Sequence, residues 1–263
     1  MPIPSGTAVI TGASSGIGAL YAEGLAERGH DLVIVARRAD RLQELAARLE
    51  AAYGVGVEVV AADLSKPEDV RKLESRLAAD SSISILVNNA GMGAYERFGV
   101  SDIDGVEKMI AVNITALTRL TRAVLPQFVK KNAGAIVNIG SVLALRPWEE
   151  MGPYAASKSY VLAFSQALQK ELEATNVLVQ VVNPPATATD FWSDAGASLD
   201  GLPPEAVMTA EDLVKAGLLA LERHEPVSFP SLPDAHAWEN LNSQRAQLFQ
   251  AMMSGSLAPR YVI

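Results

Sequence analysis

Residues 7–18 read TAVITGASSGIG, a short β-branched run that ends in a glycine-rich turn, and a helical pattern follows. Glycines let the backbone turn sharply and approach a ligand closely, and the N–H groups of a helix N-terminus favour an anion such as a pyrophosphate. The alternative is a turn that only joins a strand to a helix. The glycine-rich turn follows the first strand of a strand–helix–strand pattern, and this position favours dinucleotide binding. The predicted contacts in this turn are Gly12, Ser14, Ser15, Gly16, Ile17 and Gly18.

The rest of the chain alternates short apolar runs with longer stretches of helical period. The short runs are almost continuous in Val, Ile and Leu, which is typical of parallel strands covered by helices on both faces. We therefore predict an α/β fold, a doubly wound (Rossmann) sheet of seven parallel strands in a single domain over 1–263. The predicted strands are 7–11, 31–36, 57–61, 83–88, 135–140, 177–182 and 226–229, and the predicted helices are 20–28, 38–52, 67–79, 103–131, 153–175 and 209–223.

The composition argues against several classes of function. The chain has no cysteine, and its three histidines lack the spacing of metal ligands, so we predict neither a disulfide nor a metal site. A net charge of −8 without a basic block argues against a nucleic-acid partner. No run approaches the ~18 apolar residues of a membrane span, and the start has no signal-peptide pattern. These absences lead us to expect a cytoplasmic protein with no membrane partner.

The end of the second predicted strand indicates which dinucleotide is bound. A carboxylate there, roughly 20 residues after the glycine turn, would bind the ribose hydroxyls of NAD. The sequence instead reads Ala36, Arg37 and Arg38. Guanidinium groups suit a phosphate through forked hydrogen bonds, whereas two merely solvated cations would oppose the dipole of the following helix. Arg37 and Arg38 therefore predict NADP(H) as the preferred cofactor, with NAD(H) as the alternative.

Several further motifs occur in the order of one known family. The turn has the spacing Thr-Gly-x-x-x-Gly-x-Gly, Asn88–Gly91 read Asn-Asn-Ala-Gly at a strand end, and Tyr154 and Lys158 form Tyr-x-x-x-Lys. With Asn113, Ser141 and the Pro184–Asp190 segment, the chain resembles the classical short-chain dehydrogenase/reductase family from residue 7 to about 190. The resemblance implies further cofactor contacts, which are Asp63, Leu64, Asn89, Ala90, Gly91, Tyr154, Lys158, Pro184, Thr187 and Thr189.

The predicted chemistry centres on Tyr154 and Lys158, which share one face of a helix at i and i+4. We expect Tyr154 to act as general acid/base, with its pKa lowered by the Lys158 cation. We expect Ser141, at a strand end, to hydrogen-bond the substrate oxygen. The resemblance implies that Asn113 orders a water relay to Lys158. Its simpler interpretation is a satisfied buried amide.

The substrate is left open by the sequence. Trp148, Met151, Phe191 and Trp192 either form an apolar substrate pocket or belong to the core, and specificity is expected in a loop at about 185–208 and a tail at 230–263. Pro185 stands where the family usually has glycine, which puts the cofactor role of this segment in doubt.

Three functions compete for this sequence. The favoured one is an NADPH-dependent oxidoreductase that moves hydride between the nicotinamide and a carbonyl or secondary alcohol. The others are a non-catalytic NADP(H) sensor and a sugar-nucleotide epimerase. The resemblance also implies a homodimer or homotetramer, formed partly by the helices predicted at 103–131 and 153–175.

Overall fold

The computed structural model describes residues 3–262, which form two compact units, one up to Pro230 and one from Ser231. The first unit holds a seven-stranded sheet in the order β3-β2-β1-β4-β5-β6-β7, in which every pair of neighbours is parallel. The strands are β1 (Thr7–Thr11), β2 (Leu32–Ala36), β3 (Val57–Ala61), β4 (Ile83–Asn88), β5 (Gly134–Ile139), β6 (Val177–Val182) and β7 (Val227–Ser228).

The helices connect these strands and cover both faces of the sheet. They are α1 (Gly16–Glu27), α2 (Ala39–Tyr53), α3 (Pro67–Ala79), α4 (Ile103–Ile110), α5 (Leu117–Lys131), α6 (Gly152–Glu171), α7 (Phe191–Asp194) and α8 (Ala210–Glu222) in the first unit, and α9 (His236–Met252) in the second. The predicted doubly wound fold is confirmed. The assignment of all of 1–263 to one domain stays a prediction.

The strand residues alternate between two apolar layers. Ile10 and Ile34 pack in the layer that includes α1 and α2, whereas Val9 and Val33 pack in the layer that includes α3 and α5. Successive side chains of a strand point to opposite faces, so strands without polar positions fill both layers. Strand β1 pairs with β2 on one side and with β4 on the other, so the connections of the chain run in opposite directions from β1. This reversal of strand order opens a crevice at the carboxyl ends of β1 and β4.

Two helices differ from the predicted boundaries in ways that affect the crevice. The first begins at Gly16 rather than at residue 20, so the end of the glycine turn is already the first helical turn. The helix predicted over 103–131 is interrupted, because Ala111–Ala116 forms a π-helical turn between α4 and α5. Apolar periodicity does not reveal a π-turn, which changes the hydrogen-bond step without changing the buried face.

The second unit contains α9, which lies within the tail at 230–263. None of the residues of α9 is buried, and Leu248, Phe249 and Met252 are each more than half exposed. Across the described residues 3–262, no helix combines the length and apolar character that crossing a bilayer requires.

Candidate active site

A cavity of about 670 Å³ opens at the carboxyl ends of β1, β4, β5 and β6. Its walls bring together nearly every residue that the sequence predicted, from the glycine turn to the Tyr-x-x-x-Lys pair. Gly18 and Asn113 are the two predicted residues that lie outside the wall. The predicted residues that line it are Gly12, Ser14, Ser15, Gly16, Ile17, Arg37, Arg38, Asp63, Leu64, Asn89, Ala90, Gly91, Ser141, Tyr154, Lys158, Pro184, Thr187 and Thr189.

The glycine turn is fixed against the end of β4 by direct backbone contact. Gly12 has a φ of +68°, and a Cβ atom there would lie 2.8 Å from the Cα of Ala90. A Cβ atom on Gly18 would collide with the carbonyl of Gly12 and the amide of Asn89. The Thr11 hydroxyl accepts hydrogen bonds from the N–H groups of Asn89 and Ala90, both at 3.1 Å. Gly18 therefore acts by close packing rather than by touching the cavity.

The two arginines at the end of β2 have different partners. The Arg38 guanidinium donates to the hydroxyls of Ser14, at 3.0 and 3.2 Å, and of Ser15, at 2.7 Å, which places it over the glycine turn. Arg37 lies on the Asp63 side. Burial alone would raise the pKa of Asp63, but hydrogen bonds from Ser65 and the charge of Arg37 hold it below its usual value. Both guanidinium groups line the cavity beside the first turn of α1.

The Tyr-x-x-x-Lys pair lies on the first turns of α6, and its side chains reach the cavity beside Ser141, which follows β5. Tyr154 and Ser141 are joined by a side-chain hydrogen bond. The Lys158 Nζ atom donates to the carbonyl of Ile139 at 2.7 Å and lies 5.6 Å from the centre of the Tyr154 ring. Three groups that can bind or move a proton thus meet at one point of the wall.

The expected influence of Lys158 on the pKa of Tyr154 is wrong for this arrangement of protein groups. Burial raises the pKa of Tyr154, and the hydrogen bond with Ser141 opposes that rise only in part. Burial also lowers the pKa of Lys158 to about 8. Desolvation disfavours the charged form of each group and is the largest cause of both shifts. The phenol is therefore held in its protonated form, which is the form that can donate a proton.

Asn113 lies in the π-helical turn and is fully hydrogen-bonded. Its Oδ1 accepts from the N–H of Met92 at 2.8 Å, and its Nδ2 donates to the carbonyl of Met92 at 2.9 Å and to the Ser157 hydroxyl at 3.0 Å. The side chain thus ties the loop after β4 to α6, close to Lys158. These contacts match the satisfied buried amide, and the water relay stays a prediction.

The segment after β6 forms the other wall of the cavity. The hydroxyl of Thr187 donates to the carbonyl of Pro185 at 3.0 Å, and the indole N–H of Trp192 donates to the carbonyl of Thr187 at 2.9 Å. Thr189 packs against Gly16, where an added Cβ atom would lie 3.2 Å from its methyl group. The residue pair Pro184 and Pro185 lines the cavity, so the proline at 185 leaves this segment next to the glycine turn.

An aromatic wall extends from Tyr154 along this segment. The ring of Phe191 lies 5.4 Å from that of Tyr154, and the ring of Trp192 meets Phe191 edge-on at 5.9 Å. Met151 is fully buried beneath Tyr154, and Trp148 is 39% exposed. All four side chains named as pocket or core candidates line the cavity, and Met151 belongs to the core as well.

A family model described as short chain dehydrogenase matches residues 6–200, a span that includes the glycine turn and the Tyr-x-x-x-Lys pair. The chain belongs to the short-chain dehydrogenase/reductase family. The predicted family is thus confirmed, and with it the class of oxidoreductases that act on CH–OH or C=O groups.

Solved structures of the same family match the chain over its whole length. A short-chain dehydrogenase from Sphingobium yanoikuyae in complex with NADPH is 46% identical, with a TM-score of 0.94 and full coverage of both chains. The bulky-bulky ketone specific alcohol dehydrogenase from Comamonas testosteroni is 41% identical, with a TM-score of 0.90 over 98% of this chain and 99% of that one.

Curated relatives from the family are longer. The 17-beta-hydroxysteroid dehydrogenase type 3 of Homo sapiens is 38% identical over 213 residues, which are 80% of this chain and 66% of that protein. A very-long-chain 3-oxoacyl-CoA reductase of Anas platyrhynchos is 34% identical over 77% of this chain and 66% of its own length. The chain thus spans about two thirds of the length of the curated relatives that it matches.

The expected cytoplasmic location is wrong. The two curated relatives are membrane enzymes of the endoplasmic reticulum. The expectation rested only on the absence of an apolar run, and such an absence does not determine the compartment in which a protein of this family works.

Sequence reasoning missed part of the wall on the substrate side. Met92 and Gly93 follow the Asn-Asn-Ala-Gly motif and line the cavity, as do Leu143 and Leu202. A Cβ atom on Gly93 would lie 2.5 Å from the Phe191 ring, so this glycine permits the aromatic wall to close on the loop after β4. The glycine beside a strand-end motif was the available signal. Leu202 lies in an irregular segment, and no sequence pattern indicated that it would line the cavity.

In the part of the chain that the structure describes, no group of His, Asp or Glu side chains could hold a metal ion.

Proposed function

We propose that this chain is an NADPH-dependent oxidoreductase that transfers a hydride between the nicotinamide and the carbon of a ketone or secondary alcohol. The observation that carries the proposal is the meeting of Ser141, Tyr154 and Lys158 in the same cavity as the glycine turn. A cavity that joins a dinucleotide cradle to a proton donor is what carbonyl reduction requires.

The residues around the glycine turn fit the cofactor. The backbone at Gly12 and Gly18 has no room for a Cβ atom, and Gly16 and Ile17, whose N–H groups begin α1, line the cavity. These groups would hold the pyrophosphate. Arg38, with Ser14 and Ser15, would hold the phosphate that distinguishes NADP from NAD. The NADPH complex of the Sphingobium yanoikuyae relative supports this assignment.

The chain's own residues supply the proton chemistry. The reduced dinucleotide, when bound, supplies a hydride to the carbonyl carbon. The Tyr154 hydroxyl donates its proton to the carbonyl oxygen, so that the ketone gains one hydride and one proton and becomes an alcohol. Ser141 donates a hydrogen bond to the same oxygen as negative charge develops on it. The Lys158 ammonium, held by the carbonyl of Ile139, stabilises the phenolate that remains.

The substrate is proposed to be a ketone with a large apolar arm. Phe191, Trp192 and Trp148 offer aromatic surface beside Tyr154, and Leu143 and Leu202 extend it. Apolar and aromatic pockets bind ligands of matching character. The relative from Comamonas testosteroni, described as specific for bulky-bulky ketones, supports this choice.

The test is oxidation of NADPH, followed at 340 nm, with a panel of aryl alkyl ketones. We expect turnover by the wild type and a loss of at least about a thousandfold in kcat for Tyr154→Phe, because the proton donor is removed. The affinity for NADPH should change less than about twofold. The matched control is Tyr53→Phe, which alters an exposed tyrosine of α2 whose hydroxyl is hydrogen-bonded to Glu23.

The same assay separates the catalyst from the sensor. Binding of NADPH without turnover of any ketone by the wild type would favour the non-catalytic NADP(H)-binding protein. Turnover that persists in Tyr154→Phe would remove Tyr154 from the proposed role and leave the family assignment intact.

We further propose that the chain assembles as a homodimer or homotetramer through α5 and α6. Val129 on α5 and Tyr160 on α6 are large side chains that are at least 36% exposed, as expected at an interface. Light scattering on the purified chain measures the mass directly. A monomer at micromolar concentration would contradict the proposal.

A further inference from the structure

We propose that Asp194 is a specificity-determining residue that makes the substrate end of the cavity favour aromatic ketones with a positively charged arm over those with a negatively charged arm. This inference rests on the proposed function, because it concerns the substrate of the same site. It adds a charged group to a site whose other substrate-side surfaces are mainly apolar and aromatic.

The charged groups of the cavity wall are divided between its two ends. Arg37, Arg38 and Asp63 surround the glycine turn, and Lys158 is buried at the carbonyl of Ile139. On the segment after β6, the charged side chains in the wall are Asp190 and Asp194. Arg37 and Arg38 thus lie on the cofactor side, Lys158 lies between the two ends, and the wall formed by the segment after β6 carries only carboxylates.

The two carboxylates differ in whether a nearby cation balances their negative charge. Asp190 lies 3.7 Å from the guanidinium of Arg41, which balances its charge in part. The Asp194 carboxylate has neither a hydrogen bond nor an ion pair among the described residues 3–262, although it lines the cavity. The Asp194 side chain is exposed to solvent, but the apolar wall beside it excludes water on one side. Its charge therefore acts on a bound ligand more strongly than it would in open water.

The position of Asp194 next to the aromatic wall is set by its helix. Phe191 and Trp192 begin the same four-residue helix α7, and Phe191 packs against the Tyr154 ring. The carbonyl of Ala195, the following residue, accepts a hydrogen bond from the N–H of Tyr95 at 3.0 Å, which holds the end of α7 to the loop after β4. A ketone whose carbonyl meets Tyr154 therefore extends its arm along Phe191 towards Asp194.

The aromatic rings add to the preference in the same direction. An ammonium group over the face of an indole or phenyl ring is attracted by the ring quadrupole, whereas a carboxylate is repelled. Trp192 is held in place by its hydrogen bond to Thr187, so its face is available without reorganisation. Carboxylate and acyl-phosphate substrates would need a cation on this wall, and the wall has none among the residues that the structure describes.

The experiment uses three acetophenones that differ only at the para position, where they carry a trimethylammonium, a methyl or a carboxylate group. The quantity measured is kcat/KM with NADPH for each probe, and the decisive value is the ratio of the ammonium to the carboxylate probe. We expect a ratio of about ten or more in the wild type. In Asp194→Asn the ratio should fall at least about threefold, and in Asp194→Lys it should invert.

The matched control is Asp200→Asn, which removes an exposed carboxylate of the same segment that lies outside the cavity wall. It should leave unchanged both the ratio and the kcat/KM of the neutral probe. An unchanged ratio in both Asp194 variants would overturn the proposal.

A binding measurement keeps this test independent of catalysis. Trp148 and Trp192 line the cavity, so quenching of tryptophan fluorescence by each probe reports its dissociation constant with NADP+ bound, which has no hydride to transfer to the ketone. Failure of the neutral probe to turn over would contradict the proposed function, whereas the ratio of dissociation constants would still decide the role of Asp194. Equal binding of the charged probes by the wild type would reject that role.

Discussion

The two ends of the cavity differ in which part of the chain forms the wall, backbone at one end and side chains at the other. At the cofactor end, backbone forms part of the wall, because Gly12 leaves no room for a side chain against Ala90 and Gly18 packs directly behind Gly12. At the substrate end, the wall consists of side chains on irregular segments, with Phe191 and Trp192 as its main surfaces. A site made of backbone tolerates no added atom, whereas a site made of side chains changes its selectivity one substitution at a time.

The largest effect should come from an added methyl group at the cofactor end. Gly18→Ala places a Cβ atom against the backbone carbonyl of Gly12 and the side-chain amide of Asn89, and the backbone carbonyl cannot yield as a side chain does. We expect the Kd for NADPH to rise at least about a hundredfold and the Tm to fall by several degrees. Isothermal titration calorimetry and thermal unfolding measure the two changes.

The control for this variant is Gly201→Ala at the substrate end. A Cβ atom there meets nothing within 4 Å, so both the Kd and the Tm should stay close to those of the wild type. Similar losses at residues 18 and 201 would break the comparison, since the two ends would then respond alike to an added atom.

The next largest effect concerns the phosphate that distinguishes the two dinucleotides. Arg38→Leu removes the guanidinium that bridges Ser14 and Ser15, and we expect the Kd for NADPH to rise about thirtyfold. The Kd for NADH should change less than about threefold. Arg41→Leu, which removes a nearby arginine outside the cavity wall, is the control and should alter neither constant. Equal losses for both dinucleotides would contradict the phosphate role.

The difference between the two ends also explains what the sequence could predict. The glycine turn, the strand ends and the Tyr-x-x-x-Lys pair depend on local rules, such as backbone freedom, strand composition and helical spacing. These rules placed the cofactor end almost residue by residue. Gly18 is an exception, since it was predicted to contact the cofactor but packs behind the cavity wall instead of lining it.

The features that escaped prediction depend on contacts between distant segments. The π-turn at Asn113 follows from an amide that bonds Met92, 21 residues away. The direction of the pKa shift at Tyr154 follows from burial by Phe191 and its neighbours, which a pairwise estimate of the Lys158 charge omits. Gly93 lines the cavity because the fold brings it against Phe191 of α7. Leu202 lines the cavity from the irregular segment after α7.

Lys158 lies where the two ends meet, and its burial predicts a pH dependence of stability. Its pKa is lowered from 10.5 to about 8 in the folded chain. Between these values the unfolded chain binds a proton that the folded chain does not, so this group makes stability rise with pH in that window. From pH 7 to 9.5 its contribution should grow by about 2 kcal/mol.

Urea denaturation of the wild type and of Lys158→Met at pH 7 and 9.5 measures this contribution. The difference in unfolding free energy between the two proteins should shift towards the wild type at the higher pH. Lys170→Met, at an exposed lysine of the same helix, should show no such shift. A difference independent of pH would mean that Lys158 keeps its ordinary pKa in the folded chain.

The smallest effect tests whether the substrate end is independent of the cofactor end. Trp192→Phe keeps an aromatic ring in the wall but loses the hydrogen bond from the indole N–H to the carbonyl of Thr187, which fixes the ring. We expect the KM for a bulky aryl ketone to rise about fivefold, because part of the wall must be ordered when the ketone binds. The Kd for NADPH should stay within about twofold, since Thr187 keeps its own bond to Pro185. If NADPH binding weakened as much as the ketone KM, the segment after β6 would serve both ligands together, and the two ends would have to be regarded as one site.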